Sequence, residues 1–94
     1  MAFMIYCLDK PGHAHVRADN RAAHLDYLKS KYMDRVIAGG PLLTDDGNGM
    51  IGSLLLMDFK DRAEADAFVA DDPYGKAGLF ASVSIRPWKK VLPP

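Results

Sequence analysis

One turn near the middle of the chain restricts the fold more than any other feature. Residues 45–49 read Asp-Asp-Gly-Asn-Gly, and apolar runs flank them at residues 36–43 and 50–59. Asp-Gly and Asn-Gly between apolar runs are typical of β-hairpins, because these residues tolerate the positive φ that tight turns require. The centre of the chain is therefore predicted to be two antiparallel strands. The Gly39-Gly40-Pro41 run in the first strand indicates a bulge or a sharp bend.

A long helix is predicted before this hairpin, over about residues 17–35. The segment contains neither proline nor glycine. Asp19 or Asn20 is predicted to cap its start, and a start as early as His15 is the alternative. Apolar residues recur at helical spacing and predict its buried stripe, which consists of Leu25, Leu28, Tyr32 and Val36.

A second, shorter helix is predicted after the hairpin. Residues 61–64 read Asp-Arg-Ala-Glu, and an acidic cap followed by glutamate three positions later has the spacing of a capping box. The apolar stripe of this helix consists of Ala65, Phe68 and Val69. Pro73 ends the helix, and Asp72 before it is predicted to cap a short turn that Gly78 closes.

Two further strands, at residues 3–8 and 80–91, complete the order strand, helix, strand, strand, helix, strand. This order is the ferredoxin-like pattern, an α+β architecture in which both helices pack on one face of an antiparallel sheet. A chain of 94 residues has room for one domain, which is predicted to span residues 1–94.

Both faces of the predicted sheet carry apolar side chains. In the opening strand, one face has Phe3, Ile5 and Cys7, and the other has Met4, Tyr6 and Leu8. Helices cover only one face of such a sheet, so the second apolar face needs another cover. We therefore predict a homodimer in which two sheets pack face to face as a dimeric α+β barrel.

Composition excludes several classes of partner. Twelve basic and twelve acidic residues give a net charge of zero, and the cationic stretch at residues 86–90 is interpreted as a strand edge. Neither nucleic acid nor a membrane surface is therefore an expected partner. No signal peptide or membrane-spanning run is recognisable. The single cysteine, Cys7, is predicted to be buried, and a chain without disulfides is expected in the reducing cytoplasm.

A histidine and an aspartate at well-defined backbone positions are the main candidates for catalysis. His24 is predicted to lie on the shoulder of the first helix's apolar stripe, where its side chain reaches the edge of a cleft. If the fold brings Asp72 to it, the carboxylate fixes the tautomer of the imidazole and favours its charged form. Two simpler interpretations stay open, in which His24 is a half-exposed surface residue and Asp72 is only a helix cap.

Four further residues are candidates for substrate binding. Arg21, together with backbone N–H groups near Gly40 or Ser53, would stabilise a developing enolate or phenolate. Tyr74, like Tyr6 and Tyr27, would donate a hydrogen bond into a cavity, and packing in the core is the alternative for each of the three. Ser53 has no adjacent histidine in the sequence, so a nucleophilic serine is not supported.

A metal site is a weaker alternative. His13 and His15 have the spacing of half a metal site, and His24 would complete it. Their loop contains glycine and no nearby cysteine, which makes the signal weak. Neither a metal nor another cofactor is predicted.

These segments, taken in order, resemble the YCII-related family over nearly the whole chain. The resemblance rests on residues 3–8, Arg21-x-x-His24-Leu25, residues 38–42, Gly52-Ser53, Asp72-Pro73-Tyr74, Ala77-Gly78 and residues 85–88. It implies a dimeric ferredoxin-like fold and a catalytic histidine–aspartate pair, which falls on His24 and Asp72. One characterised member of the family eliminates chloride from a chlorinated hydroxyhydroquinone.

The function expected from these observations is cofactor-independent acid–base catalysis on a small phenolic, quinol-like or enolisable compound. His24 would be the general base, and Asp72 would orient it and stabilise the imidazolium. Such catalysis contributes roughly 10²–10⁴-fold, which suits elimination or isomerisation of an activated substrate. The alternatives are a non-catalytic module that binds a small molecule and a dimeric interaction domain.

Overall fold

The computed structural model describes residues 1–94. The strands are β1 (Ala2–Asp9), β2 (Val36–Leu43), β3 (Met50–Asp58) and β4 (Phe80–Trp88). The helices are α1 (Ala14–Lys31), α2 (Arg62–Asp71) and the short α3 (Pro73–Lys76), and a 3-10 turn over Met33–Arg35 follows α1. None of the helices combines the length and the apolar character that crossing a bilayer requires.

The four strands form one sheet in the order β2-β3-β1-β4, and every neighbouring pair is antiparallel. In the central pair, Ile5 of β1 lies opposite Leu55 of β3, and on its other side it lies opposite Ile85 of β4. This arrangement is the ferredoxin-like α+β fold, so the prediction from the order of elements is confirmed.

Alternation along the central strands places the core on one face of the sheet, where the helices pack. The inward residues of the two central strands and the buried faces of α1 and α2 form a single cluster. Its members include Phe3, Ile5 and Cys7 of β1, Leu55 and Met57 of β3, Tyr27 and Leu28 of α1, and Ala65 and Phe68 of α2.

The opposite face of the sheet has no helix over it. Tyr6 and Leu54 lie directly opposite each other there, and each is 37% exposed. Met4, Leu8 and Leu56 on the same face are partly buried. The second face is therefore apolar and open in the single chain, and the prediction of a homodimer concerns this surface.

Three predicted element ends differ from the structure, and one of them is the end of α1, which is Lys31 and not about residue 35. α1 begins at Ala14, so Asp19 and Asn20 lie inside it, and the alternative start near His15 is right to within one residue. The first cap is His13, which makes no side-chain capping hydrogen bond. The helix starts this early because the Pro11-Gly12 turn ends directly before it. β4 ends at Trp88 rather than Val91, because Trp88 pairs with Ala2, the first residue of β1, and the strand has no partner beyond it.

The buried face of α1 is also different from the predicted stripe. Its buried residues are Arg17, His24, Tyr27 and Leu28, whereas Leu25 is 36% exposed. Arg17 and His24 displace apolar side chains from this face because each finds a hydrogen-bonding partner in the interior. His24 is thus buried, at 7% exposure, rather than half exposed on the edge of the stripe.

Candidate functional site

His24 and Asp72 are in direct contact inside the protein. Nδ1 of His24 lies 2.8 Å from Oδ1 of Asp72, although the residues are 48 positions apart in the sequence. The same Oδ1 accepts a hydrogen bond of 2.9 Å from the backbone N–H of Tyr74, which caps α3. Asp72 is therefore both a helix cap and the partner of His24. An ionised carboxylate only accepts hydrogen bonds, so Nδ1 carries the proton in this pair.

The ring of Tyr74 fixes the orientation of the imidazole. The rings of His24 and Tyr74 are stacked, with their centroids 4.0 Å apart and their planes inclined by 15°. Pro73 begins α3, so the backbone turns sharply between Asp72 and Tyr74 and places both beside α1. Nε2 of His24 has no hydrogen-bond partner in the protein, and His24 lines a cavity. In the neutral ring, Nε2 is the nitrogen that can accept a proton.

A buried ion pair stands next to this histidine. Nε of Arg17 donates to Oδ2 of Asp9 at 2.7 Å, and Nη2 donates to Oδ1 at 2.9 Å. Nη2 also donates to Oγ of Ser53 at 3.0 Å. The guanidinium carbon lies 4.6 Å from the centroid of the Tyr74 ring. The guanidinium of Arg17 is thus bound by Asp9 and Ser53 and also contacts Tyr74, which stacks on His24.

The electrostatics of this cluster follow from burial and from the arginines. Burial alone would lower the pKa of Arg17, but its hydrogen bond and charge interaction with Asp9 raise that pKa overall. Burial raises the pKa of Tyr74, while the positive charges of Arg17 and Arg21 act in the opposite direction. Burial, followed by the negative charge of Asp72, raises the pKa of the Cys7 thiol to about 12. Cys7 is therefore a protonated core residue at neutral pH.

A cavity of about 200 Å³ lies between α1 and strands β2 and β3. Its polar lining consists of Arg17, Arg21, His24, Lys29, Ser53 and Tyr74. The remaining lining is mostly apolar, with the Gly39-Gly40-Pro41 segment of β2 among it. A cavity of this size with a few convergent polar groups is suited to a small organic molecule.

The structure brings the predicted site residues to this one place. The cavity lining includes His24, Arg21, Gly40, Ser53 and Tyr74. Asp72 binds Nδ1 of His24 and is not itself in the lining. Their roles in binding and catalysis stay predictions.

The glycines in and beside the cavity lining differ in how much space surrounds them. A Cβ at Gly52 would collide with the carbonyl oxygen of Cys7, and one at Gly39 would come within 2.5 Å of Cδ2 of Leu55. Close packing thus accounts for these two positions. A Cβ at Gly40 would meet no atom within 4 Å, so close packing does not account for that glycine.

Sequence reasoning missed Arg17, Asp9 and Lys29. Arg17 lies seven residues before His24, which is two helical turns, so the spacing itself places both on one face of α1. That signal could have identified Arg17. Lys29 lies five residues after His24 and also lines the cavity. Nothing in the local sequence of Asp9, at the end of β1, indicated its ion pair.

The three histidines do not form a metal site. His13 hydrogen-bonds through Nδ1 to the carbonyl oxygen of Pro11, and its ring centroid lies 6.0 Å from that of His15. His24 bonds to Asp72 through Nδ1 and is not grouped with the other two histidines. The chain has no group of three or more histidine, cysteine, aspartate or glutamate side chains arranged to hold a metal ion.

The family follows from comparison with known sequences. The model of the YCII-related domain matches residues 1–89, and the chain belongs to this family. Protein YciI of Escherichia coli is 34% identical over 98 residues, a match that covers 98% of this chain and all of that protein. An uncharacterized protein of Haemophilus influenzae matches with the same identity and coverage.

Solved structures extend the comparison to a characterised enzyme. The 5-chloro-2-hydroxyhydroquinone dehydrochlorinase TftG of Burkholderia phenoliruptrix, in complex with 2,5-dihydroxybenzoquinone, is 43% identical with a TM-score of 0.88. The match covers 95% of this chain and 94% of that one. An antibiotic biosynthesis monooxygenase, 11% identical with a TM-score of 0.54 over 96% of this chain and 97% of its own, shares the fold alone.

Proposed function

We propose that this protein is a cofactor-independent enzyme that uses the His24–Asp72 pair to eliminate a leaving group from, or isomerise, a small phenolic, quinol-like or enolisable compound. The observation that carries the proposal is the buried pair itself. Nδ1 of His24 is engaged by Asp72 at 2.8 Å, and Nε2 is left without a protein partner at a cavity. The likeness to a dehydrochlorinase that acts on a chlorinated hydroxyhydroquinone supports elimination as the reaction type.

The elimination proceeds by two proton transfers through Nε2 of His24. In the first, a ring hydroxyl loses its proton, its electron pair forms a carbonyl, and the ring carbon that bears the leaving group gains a proton. In the second, another hydroxyl loses its proton as the leaving group departs with its bonding pair. The net change is loss of one acid molecule, so the quinone-type product forms without an external oxidant. Asp72 stabilises the imidazolium that forms each time Nε2 holds a proton taken from the substrate.

The surroundings of His24 fit general base catalysis better than covalent catalysis. Cys7 is buried and protonated, and the hydroxyl of Ser53 is engaged by Arg17. Arg17 and Arg21 line the same cavity as His24 and would stabilise the phenolate or enolate that forms when the hydroxyl loses its proton.

Chloride release from 5-chloro-2-hydroxyhydroquinone tests the proposal directly. We expect the purified protein to release chloride, and His24→Asn to lower kcat by roughly 10²–10⁴-fold because the base is lost. His15→Asn is the matched control, since His15 is exposed and does not line the cavity. No release above the buffer rate, or unchanged turnover in His24→Asn, would contradict the proposal. Saturable binding without turnover would instead indicate a non-catalytic binding module.

We also propose that the open face of the sheet forms a homodimer. The support is the uncovered apolar surface around Tyr6 and Leu54, each 37% exposed. Apolar surface of this kind on a small domain is characteristic of an interface between proteins. A second copy of the chain presents an identical sheet and is the simplest cover for it.

A further inference from the structure

Resting on the proposed function, we propose that the substrate of this cavity is an organic anion at neutral pH, and that Arg21 and Lys29 hold its negative charge. The two cations lie in the lining on α1, on either side of His24. The charge of the substrate, rather than its ring alone, would then decide which phenolic compounds the site accepts.

The cavity wall carries an excess of positive charge. Arg17 is neutralised by Asp9, and His24 is paired with Asp72, but neither carboxylate belongs to the lining. Arg21 and Lys29 line the cavity and form no ion pair. A ligand therefore meets two uncompensated positive charges and no negative one.

The two cations flank His24 along α1. With a rise of about 1.5 Å per residue, the backbone of Arg21 lies roughly 4.5 Å from that of His24 along the helix axis, toward the start of the helix. The backbone of Lys29 lies roughly 7.5 Å along the axis in the other direction. Both side chains are long and flexible, so either reaches a compact ring that sits against Nε2 of His24. The positive charge of Arg21 acts on groups inside the site, since it opposes the rise that burial causes in the pKa of Tyr74.

The lining also bears on selectivity against neutral compounds. Much of the remaining lining is apolar, and an apolar wall gives an anionic ring no advantage over a neutral one. Only the charged substituent gains from Arg21 and Lys29. Both residues are exposed, so solvent screens them, and each contributes about a fivefold preference at low salt. Both cations act on the same ligand charge, so their contributions need not add, and the combined preference is about 5- to 25-fold.

Isothermal titration calorimetry with two compounds of matched shape tests this inference. The probes are 2,5-dihydroxybenzoate and its neutral counterpart 2,5-dihydroxybenzamide, titrated at neutral pH and low ionic strength. We expect the carboxylate to bind about 5- to 25-fold more tightly than the amide. Raising the ionic strength from about 0.01 M to 1 M shortens the Debye length from about 30 Å to 3 Å and should remove most of this preference.

Charge-removing variants locate the preference. Arg21→Gln and Lys29→Gln should each weaken carboxylate binding by about fivefold and leave amide binding unchanged. Lys31→Gln is the matched control, because this substitution removes the same charge from the same helix. Lys31 lies over the ring of Tyr27 and does not line the cavity. Lys31→Gln should keep the wild-type preference.

The outcomes separate this inference from the proposed function. Equal binding of the two probes, undetectable binding of the carboxylate, or wild-type affinity in the Arg21→Gln/Lys29→Gln double variant would overturn the inference. His24→Asn retains both cations and should keep the preference for the carboxylate although it loses turnover. Unchanged chloride release in His24→Asn would defeat the proposed function alone, and loss of the charge preference would leave that function standing.

Discussion

The imidazole of His24 lies nearly parallel to the phenol ring of Tyr74, with the ring centroids 4.0 Å apart. At one edge of the same imidazole, Asp72 holds Nδ1 at 2.8 Å. A stacked neighbour restrains the plane of the ring, and an in-plane hydrogen bond restrains its rotation within that plane. The proposed base is therefore fixed before any ligand enters, and the residues that fix it can be tested separately from those that bind.

Asp72→Asn should separate the capping role of Asp72 from its role toward His24. Asparagine caps helices about as well as aspartate, so we expect the free energy of unfolding to change by less than about 1 kcal/mol. The amide carries no negative charge to stabilise the imidazolium, so kcat should fall roughly 10²–10⁴-fold. Urea denaturation and chloride-release kinetics on the same preparation give both values. A large loss of stability with unchanged kcat would show that Asp72 is only a cap.

Arg17→Met should destabilise the protein strongly. The side chains of Arg17 and Asp9 are 6% and 7% exposed, and removal of the cation leaves a buried carboxylate without a partner. Such a loss costs about 3–5 kcal/mol in the free energy of unfolding. Adding Asp9→Leu to this variant should recover much of the loss, because the unpaired charge disappears. Urea denaturation measures the free energy of unfolding of the single and the double variant. A loss of stability below about 1 kcal/mol for Arg17→Met alone would show that the Arg17–Asp9 pair is not buried in solution.

Gly52→Ala should be far more damaging than Gly40→Ala. A Cβ at Gly52 would strike the backbone of β1 at Cys7, and the central strands would have to separate to accept it. Overpacking of this kind costs about 1–3 kcal/mol. A Cβ at Gly40 meets nothing within 4 Å, so that variant should be as stable as the wild type within about 0.5 kcal/mol. Equal melting temperatures for the two variants would contradict this prediction.

Cys7 should make the stability of the protein fall above pH 9. The pKa of its thiol is about 12 in the folded chain, against 9.0 as the reference value. Between these values the unfolded chain has lost the proton and the folded chain keeps it, so stability decreases as pH rises, by at most about 1.4 kcal/mol per pH unit. Denaturation curves at pH 8, 9, 10 and 11, compared with those of Cys7→Ala, isolate this contribution. Parallel pH profiles for the two proteins would show that the thiol does not contribute.

Leu54→Arg should disrupt the proposed homodimer. Leu54 lies opposite Tyr6 on the open face of the sheet, and an arginine there would place an unpaired charge against the apolar face of the second copy. Sedimentation equilibrium should give twice the chain mass of 10.3 kDa for the wild type and a single chain mass for the variant. Val91→Arg is the control, since Val91 lies after the last strand and is 67% exposed. A monomeric wild type would refute the dimer.

Local signals predicted the order of elements well, because each signal acts within a few residues. Asp61 accepts a hydrogen bond from the backbone of Glu64, as the capping-box spacing predicted. Asp72 caps α3, and Gly78 adopts the positive φ that ends the turn. The hairpin turn likewise contains a glycine with positive φ at Gly47. None of these depends on distant parts of the chain.

The buried face of α1 could not be predicted in the same way. Apolar periodicity assigns burial to leucine and tyrosine, whereas burial of Arg17 and His24 depends on acceptors elsewhere in the chain. Asp9 is on β1, and Asp72 is 48 residues from His24. Such a partner becomes visible only when the tertiary structure brings the two elements together. The candidate pair could be named from the family resemblance, but the surrounding ion pair could not.

A single carboxylate oxygen joins the architecture of this protein to its proposed chemistry. Oδ1 of Asp72 receives both the backbone N–H that starts α3 and the imidazole of His24. The cap that begins α3 therefore also holds the oxygen that binds His24. In the folded chain the proposed base is already oriented when a ligand arrives, and a change that moves this one turn would disturb both the helix start and the imidazole.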